Sequence, residues 1–328
     1  PEFLIGVIAP GAGAEHPVEH RLDAMPGDVG AQLPRHAFAL SALLALGHGP
    51  SSGARAELAA LDQRLAIVSS LAWPSELLAE LTDPEDQGPI AELLALLAPH
   101  LVRALGPDLK TFQVGRRERL LPNAVSPVHS EAAAWVGALG LGELEVYQSQ
   151  LNTDRIVALA TEPLSIIIGS SVSAPLTPFQ RQELVRSLYA LRRQQGVLTQ
   201  LDEIDVAALI VAACNLAEQP LNAPKYARQA DFERQLGRVL PRKVRKQLPE
   251  RAQALRAAEV DVGRWVSAAL SSLDRAAAVV VGDISLVLAD RPPVDHGQSH
   301  PAPPNERTRK VASFVLSPGF QSLRQRCG

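Results

Sequence analysis

The chain has 328 residues, of which 46% are hydrophobic and only 4% aromatic, and its formal net charge is −3. That length allows one large domain or two smaller ones, and the apolar content is enough for a packed core. A slightly acidic chain carries no global positive field, so nucleic acid is not an expected partner.

The longest nearly apolar run, Val206–Ala213, is far shorter than the roughly 20 residues that a bilayer span needs, so no membrane partner is expected. Two cysteines, Cys214 and Cys327, provide neither a disulfide framework nor, by themselves, a zinc site. Cys214 lies in an apolar stretch, which is typical of a buried free thiol. We therefore expect a soluble protein, with the cytoplasm as its favoured location.

Changes of composition divide the chain into four regions. Residues 1–34 are rich in Gly, Pro and His and predict a poorly ordered lead-in, and residues 35–105 alternate Ala- and Leu-rich helical stretches with turns. Residues 106–290 combine short β-branched runs with helices, and residues 291–328 form a loop and a C-terminal helical segment, Glu306–Leu323. In the second region, helices are predicted at Arg35–Leu46, Ala54–Ser70, Ser75–Leu81 and Pro89–Leu105.

The third region begins with a helix and a small group of strands. A helix is predicted over Ser130–Leu139, and turn residues separate three β-branched or aromatic runs. The turn at Glu162-Pro163 predicts that the second and third of these runs form a hairpin. The strands are predicted at Glu143–Gln148, Arg155–Ala160 and Leu164–Gly169.

A strong helix start follows the strands. Thr177 and Gln180 form a capping box, and Pro178 suits the first helical position. Further helices are predicted at Glu203–Glu218, Lys225–Leu240, Arg242–Ala258 and Asp261–Val281. The sequence therefore predicts an α+β fold that is predominantly α-helical with a small β-sheet.

Basic residues concentrate between Arg238 and Arg256, without interleaved aromatic residues that would stack on bases. A solvated helix face explains such a cluster, and an anion-binding surface explains it as well. The centre of an anion site would comprise Arg242, Lys243, Arg245 and Lys246.

The order of several phrases within residues 105–290 is more specific. Leu139-Gly140 precedes Glu145-Val146-Tyr147, and a hairpin strand then leads to the helix that holds Glu183-Leu184. Much later comes a helix with Leu273-Asp274-Arg275. This order resembles the gluzincin zinc metallopeptidases, in the branch that includes HtpX and the CAAX prenyl protease, and implies a metallopeptidase-like domain of bacterial type.

The resemblance implies where a zinc site would lie. In such enzymes two histidines at i and i+4 of one helix bind zinc, the glutamate after the first is the general base, and a distant glutamate is the third ligand. When the motif is aligned on Glu183-Leu184 and Asp274-Arg275, these positions hold Ala190, Leu191, Gln194 and Leu270. None of them can hold or use zinc, so we expect no metal, no cofactor and no catalytic residue at this site.

The resemblance also implies where a substrate groove or a remnant of the site would lie. The corresponding positions are Ile166 and Ile168 on the hairpin strand, Tyr189 on the capped helix, and Asp274. Asp274 is the one motif residue retained, and it can serve as a salt-bridge or cap partner. The helix Pro178–Gln194 is expected to pack against the helix that contains Asp274.

These observations favour a catalytically inactive metallopeptidase-like domain that serves as a protein-interaction or scaffold module. The expected partner is another protein, bound as an extended peptide at an exposed sheet edge. Two alternatives stay open: an active hydrolase with an unrecognised site, and an anion-binding module that uses Arg242, Lys243, Arg245 and Lys246. Ordinary amphipathic helices with a chance resemblance would account for the same pattern.

Overall fold

The structure, a computed structural model, describes residues 71–105, 108–121, 126–151, 154–281, 283–288 and 304–327. Within these ranges the fold is α+β and predominantly helical, with one small mixed sheet, so the predicted fold class is confirmed. The lead-in 1–34, the helices Arg35–Leu46 and Ala54–Ser70, and most of the loop before the last helices lie outside the described residues.

The helices of the described chain follow the predicted order closely. They are α1 (Ser75–Leu81), α2 (Pro89–Leu105), α3 (Pro127–Ala138), α4 (Pro178–Arg192), α5 (Glu203–Leu216), α6 (Gln229–Val239), α7 (Arg242–Ala257), α8 (Val262–Val280), α9 (Ile284–Leu288), α10 (Pro304–Val315) and α11 (Phe320–Cys327). Short 3₁₀ helices span Leu109–Phe112 and Gly196–Thr199. The strands are β1 (Arg119–Leu120), β2 (Leu144–Ser149), β3 (Ile156–Leu159) and β4 (Leu164–Gly169).

The four strands form one sheet in the order β1-β2-β4-β3. β3 and β4 pair antiparallel, with Ile156 opposite Ile168, so the predicted hairpin is confirmed. β4 also pairs parallel with β2, from Leu144 opposite Leu164 onward. The central strand is therefore β4, and β3 lies at one side of the sheet.

Both faces of this sheet are covered, because alternate side chains of β4 enter two different clusters. Ile166 and Ile168 lie in the main core, whereas Ile167 joins a smaller cluster with Phe112 and Tyr147 on the other face. The 3₁₀ helix that supplies Phe112 starts with a capping box between Asp108 and Thr111.

Helix α4 starts as the sequence predicts. The Thr177 side chain accepts a hydrogen bond from the Gln180 backbone N–H, and the Gln180 side chain accepts one from the Thr177 backbone N–H. The predicted packing of α4 against α8 is also confirmed, since the two helices are in extensive contact and share a buried ion pair.

The predicted end of α4 at Gln194 is wrong. Gln194 adopts a left-handed conformation with φ 58°, and the helix ends at Arg192. The Gln195 N–H donates to the Ala190 carbonyl at 2.8 Å, and the Gln194 N–H donates to the Leu191 carbonyl at 3.0 Å. This pair of bonds is a Schellman ending, which usually has glycine at the left-handed position and so leaves little signal when glutamine occupies it.

One main hydrophobic core extends over the described chain, from Trp73 to Cys327. The Trp73 indole N–H donates to the Cys327 carbonyl at 3.1 Å and thereby joins the start of the described chain to α11. Both thiols are buried, and desolvation raises the pKa of Cys214 to about 11 and that of Cys327 to about 12. Neither is a thiolate near neutral pH, which confirms the buried free thiol expected at Cys214.

Candidate functional site

The four positions at which the resemblance predicts a metal site do not form one. Ala190 and Leu270 are buried in the main core, and Leu191 packs partly buried against it. Gln194 lies beyond the end of α4 and is exposed. Three of these side chains have no donor atom for a metal, and the fourth is off the helix, so the residues present do not fit zinc.

The polar residues buried along α4 lie nearer its start. Gln182, Glu183 and Arg186 are at most 3% exposed, and Asp274 of α8 is completely buried. Arg186 forms an ion pair with Asp274 through Nη1 and Oδ1. Together these four side chains form what we call the polar seam between α4 and α8.

The polar seam continues toward the sheet. Arg155, which immediately precedes β3, donates from Nη2 to Oε1 of Glu183 at 2.8 Å. Gln182 and Arg186 are four residues apart and therefore lie on one face of α4. The seam thus joins the edge of the sheet, α4 and α8 through two ion pairs.

A metal ion has no place in the seam as it stands. A catalytic zinc needs three protein ligands that are anionic or neutral donors, whereas Arg186 brings a permanent positive charge to this position. Within the part of the chain that the structure describes, no group of three or more His, Cys, Asp or Glu residues is arranged to hold a metal ion. In the seam, the Arg186 guanidinium supplies the positive charge that a metal ion would otherwise supply.

Helix α4 is anchored on both sides of the seam. Near its start, Arg181 donates from Nε to Glu131 of α3 at 2.8 Å, and the other oxygen of Glu131 accepts from the Leu176 N–H at 2.9 Å. Just beyond its end, Arg193 pairs with the buried carboxylate of Asp86. The charged residues of α4 thus have partners on separate parts of the fold.

The turn between α1 and α2 covers the C-terminal part of α4. The Tyr189 hydroxyl donates to the Leu78 carbonyl at 3.0 Å and lies 3.0 Å from the hydroxyl of Thr82. Asp83 of the same turn pairs with Arg275 of α8 at 2.8 Å. Burial raises the pKa of Tyr189, so its hydroxyl stays a neutral donor.

Three expected groove residues prove to be core residues. Ile166 and Tyr189 are completely buried and Ile168 is 2% exposed. The two isoleucines lie on β4, between β2 and β3, and their side chains pack into the main core. The burial of all three residues does not fit an open groove and leaves the alternative of a remnant of the site as a prediction, and Asp274 forms a salt bridge of the kind expected of it.

The expected basic face lies on α7. Arg242, Lys243, Arg245 and Lys246 are all exposed. Arg245 donates to the carbonyls of Leu240 and Gly237 at the end of α6, so it serves at least partly as a helix cap. The structure therefore keeps these cations on the surface and gives one of them a structural role.

The apolar spacing of α4 does not by itself indicate the polar seam. The polar residues Gln182, Glu183 and Arg186 interrupt the first half of a helix whose apolar face continues to Leu191. These three polar side chains, within five residues of a largely buried helix, are the sequence signal that indicates the seam. The sequence indicates Asp274 as a salt-bridge residue, but it does not identify Arg186 as the residue that pairs with it.

Comparison of the chain with models of protein families, with curated proteins and with solved structures finds no match. Among the described helices, none has both the length and the apolarity required to cross a bilayer.

We predict that removal of either partner of the buried ion pair strongly destabilises the protein. Arg186→Met leaves the Asp274 carboxylate in the core without this cation, which should cost about 3–5 kcal/mol in the free energy of unfolding. The double variant Arg186→Met/Asp274→Leu should recover most of that loss, because it removes both charges. Urea unfolding monitored by circular dichroism measures these values.

Arg251→Met provides the matched control. Arg251 pairs with Glu92 across α7 and α2, but these side chains are 43% and 55% exposed, so its loss should cost about 1 kcal/mol or less. Equal effects of Arg186→Met and Arg251→Met would contradict the proposed importance of the seam.

Proposed function

We propose that this chain contains a catalytically inactive metallopeptidase-like domain that serves as a protein-interaction or scaffold module. The observation that carries the proposal is the polar seam, where the contact between α4 and α8 holds an Arg186–Asp274 ion pair. In the enzymes that the sequence resembles, the corresponding pair of helices would hold a zinc ion and its general base. Here the two helices pack through apolar side chains around one buried ion pair, whose charges neutralise each other.

Catalysis of peptide hydrolysis requires a held water and a base that accepts its proton. Glu183 is the one carboxylate of α4 in the seam, and it is engaged by Arg155 at 2.8 Å. An active hydrolase with a different nucleophile gains no support from the cysteines, because burial keeps both thiols protonated. These features favour a binding role over a catalytic one.

The outer edge of β3 supports binding of an extended peptide. β3 ends the sheet, and no other strand of the described residues pairs with its outer side. The Gly169 N–H donates to the Arg155 carbonyl at 2.9 Å, so the backbone groups of Arg155, Val157 and Leu159 face β4. Those of Ile156 and Ala158 consequently point away from the sheet.

Two of the features with which proteins usually prevent strand addition are absent from this edge, but β3 is only four residues long, α4 packs against it, and Ile156 and Ala158 are at most 6% exposed. Ile156–Leu159 contains no proline and no charged residue. An added strand would bond to the outward N–H and C=O groups of Ile156 and Ala158, which is a common mode of peptide recognition. We therefore assign the partner to the class of proteins that present an extended segment.

The basic residues of α7 do not support an anion-binding function as strongly as the seam and the β3 edge support protein binding. Their exposure is what a solvated helix face requires, and Arg245 already contacts backbone carbonyls. Exposure of Arg242, Lys243 and Lys246 does not distinguish an anion site from a solvated helix face, so we do not advance the anion-binding alternative.

The first test of the proposal is metal content and activity. We expect elemental analysis of the purified chain to find no stoichiometric zinc, and a peptide library to remain uncleaved. The physical reason is that Ala190, Leu191 and Leu270 offer no donor atom or base, and that Arg186 already neutralises the buried carboxylate of Asp274. About one zinc per chain, together with cleavage that a chelator abolishes, would refute the proposal in favour of an active hydrolase.

The second test addresses the β3 edge. Ala158→Pro removes an outward N–H but leaves the hydrogen bonds between β3 and β4 in place. We expect extended peptides selected from a display library against the native chain to bind this variant roughly tenfold more weakly, the effect of one lost hydrogen bond. Fluorescence anisotropy with a labelled selected peptide measures the change.

Ala158→Val is the matched control, because it changes the side chain and keeps the N–H. Urea midpoints must show that both variants remain folded. Selected peptides that bind Ala158→Pro as tightly as the native chain would exclude β3 as the docking edge.

A further inference from the structure

Residues of the polar seam have the spacing of a zinc-binding helix, but not at the positions predicted from the sequence. Gln182, Glu183 and Arg186 stand at i, i+1 and i+4 of α4, as the residues of an H-E-x-x-H motif do. The positions predicted from the resemblance, Ala190, Leu191 and Gln194, lie eight residues later. The later set is partly off the helix, whereas the earlier set is wholly helical and buried.

The second helix contributes at the same place. Asp274 lies one turn after Leu270 on α8 and contacts Arg186 directly. It supplies the carboxylate that a third metal ligand would supply, from the helix that packs against α4. Arg186 and Asp274 thus meet at one buried point, and Gln182 is buried on the same face of α4, one turn before Arg186.

A buried carboxylate requires a compensating positive charge. Arg186 provides it with a planar, always protonated guanidinium, whose N–H groups suit a carboxylate well. The arginine side chain is also longer than histidine, so it spans from α4 to Asp274 without an intervening ion. Charge and distance are both satisfied by the side chain alone.

We propose that the polar seam is a converted metal site, in which the guanidinium of Arg186 occupies the place of the divalent ion. This inference rests on the proposed metallopeptidase-like fold. It adds which residues occupy the positions of the former metal ligands and base. Gln182 and Arg186 then occupy the positions of the two histidines, Glu183 that of the base, and Asp274 that of the carboxylate ligand, which replaces the alignment of Glu183-Leu184 and Asp274-Arg275 made from the sequence with a shift of eight residues on α4 and four on α8. The arrangement needs few changes to accept a metal ion again.

The seam variant Gln182→His/Arg186→His/Asp274→Glu tests this directly. Glutamate at position 274 adds one methylene, which offsets the shorter reach of histidine. We expect this variant to bind about one Zn²⁺ per chain and to give the visible absorption of tetrahedral Co²⁺ when cobalt replaces zinc. Zn²⁺ in about hundredfold excess over its dissociation constant should raise Tm by roughly 5–10 °C, and a chelator should reverse the rise.

The register control is Ala190→His/Gln194→His/Leu270→Glu, which places the same residues at the positions first predicted. Because Gln194 lies beyond the end of α4, this variant should bind no zinc above the level of the native chain. Circular dichroism with and without Zn²⁺ establishes whether each variant is folded.

A folded seam variant that takes up no more zinc than the native chain would overturn the inference. A seam variant that stays unfolded at saturating Zn²⁺ would also overturn it, because the ion is proposed to replace the guanidinium in the fold. If the native chain itself held zinc and cleaved peptides, the proposed function would fail as well. An inert native chain with a metal-free seam variant would remove only this inference.

Discussion

The Arg186–Asp274 contact fixes how the two central helices of the fold lie against each other. Both side chains are almost completely buried, so each charge depends on the other in a medium that solvates ions poorly. Apolar packing alone would allow α4 to rotate or slide against α8 at small cost. The ion pair restricts this freedom, and the further ion pairs of Arg155 with Glu183 and of Arg193 with Asp86 extend the restriction to the sheet and to the α1–α2 turn.

This arrangement links stability to the proposed loss of catalysis. A catalytic metal site keeps an open coordination position and a base free to accept a proton. The seam has different properties, since its charges neutralise one another in two ion pairs and its carboxylate Glu183 is engaged by Arg155. The same substitution of arginine for a metal-binding residue would both remove the chemistry and maintain the helix contact. The sheet edge at β3 is tied to the seam by Arg155, which precedes β3 and pairs with Glu183, and no other strand of the described residues pairs with its outer side.

Much of the fold was predictable because its signals are local. The capping box at Thr177, the turn at Glu162-Pro163 and the apolar spacing of α8 each identify an element from neighbouring residues. The site was less predictable because its register depends on a contact between residues 88 positions apart. Leucines recur at helical spacing along α4, so the apolar pattern fits the motif equally well when the motif is placed eight residues further along the helix. Likewise, nothing local indicates that Gln194 would take a left-handed conformation.

The central claim is that a guanidinium, and not a metal ion, neutralises the carboxylate between α4 and α8. X-ray diffraction from crystals of the native protein grown with Zn²⁺, recorded on both sides of the zinc absorption edge, measures this most directly. The account predicts continuous electron density for Arg186 up to Asp274 and no anomalous peak at the seam. An anomalous peak coordinated by Asp274 and Gln182, with Arg186 turned away, would contradict it.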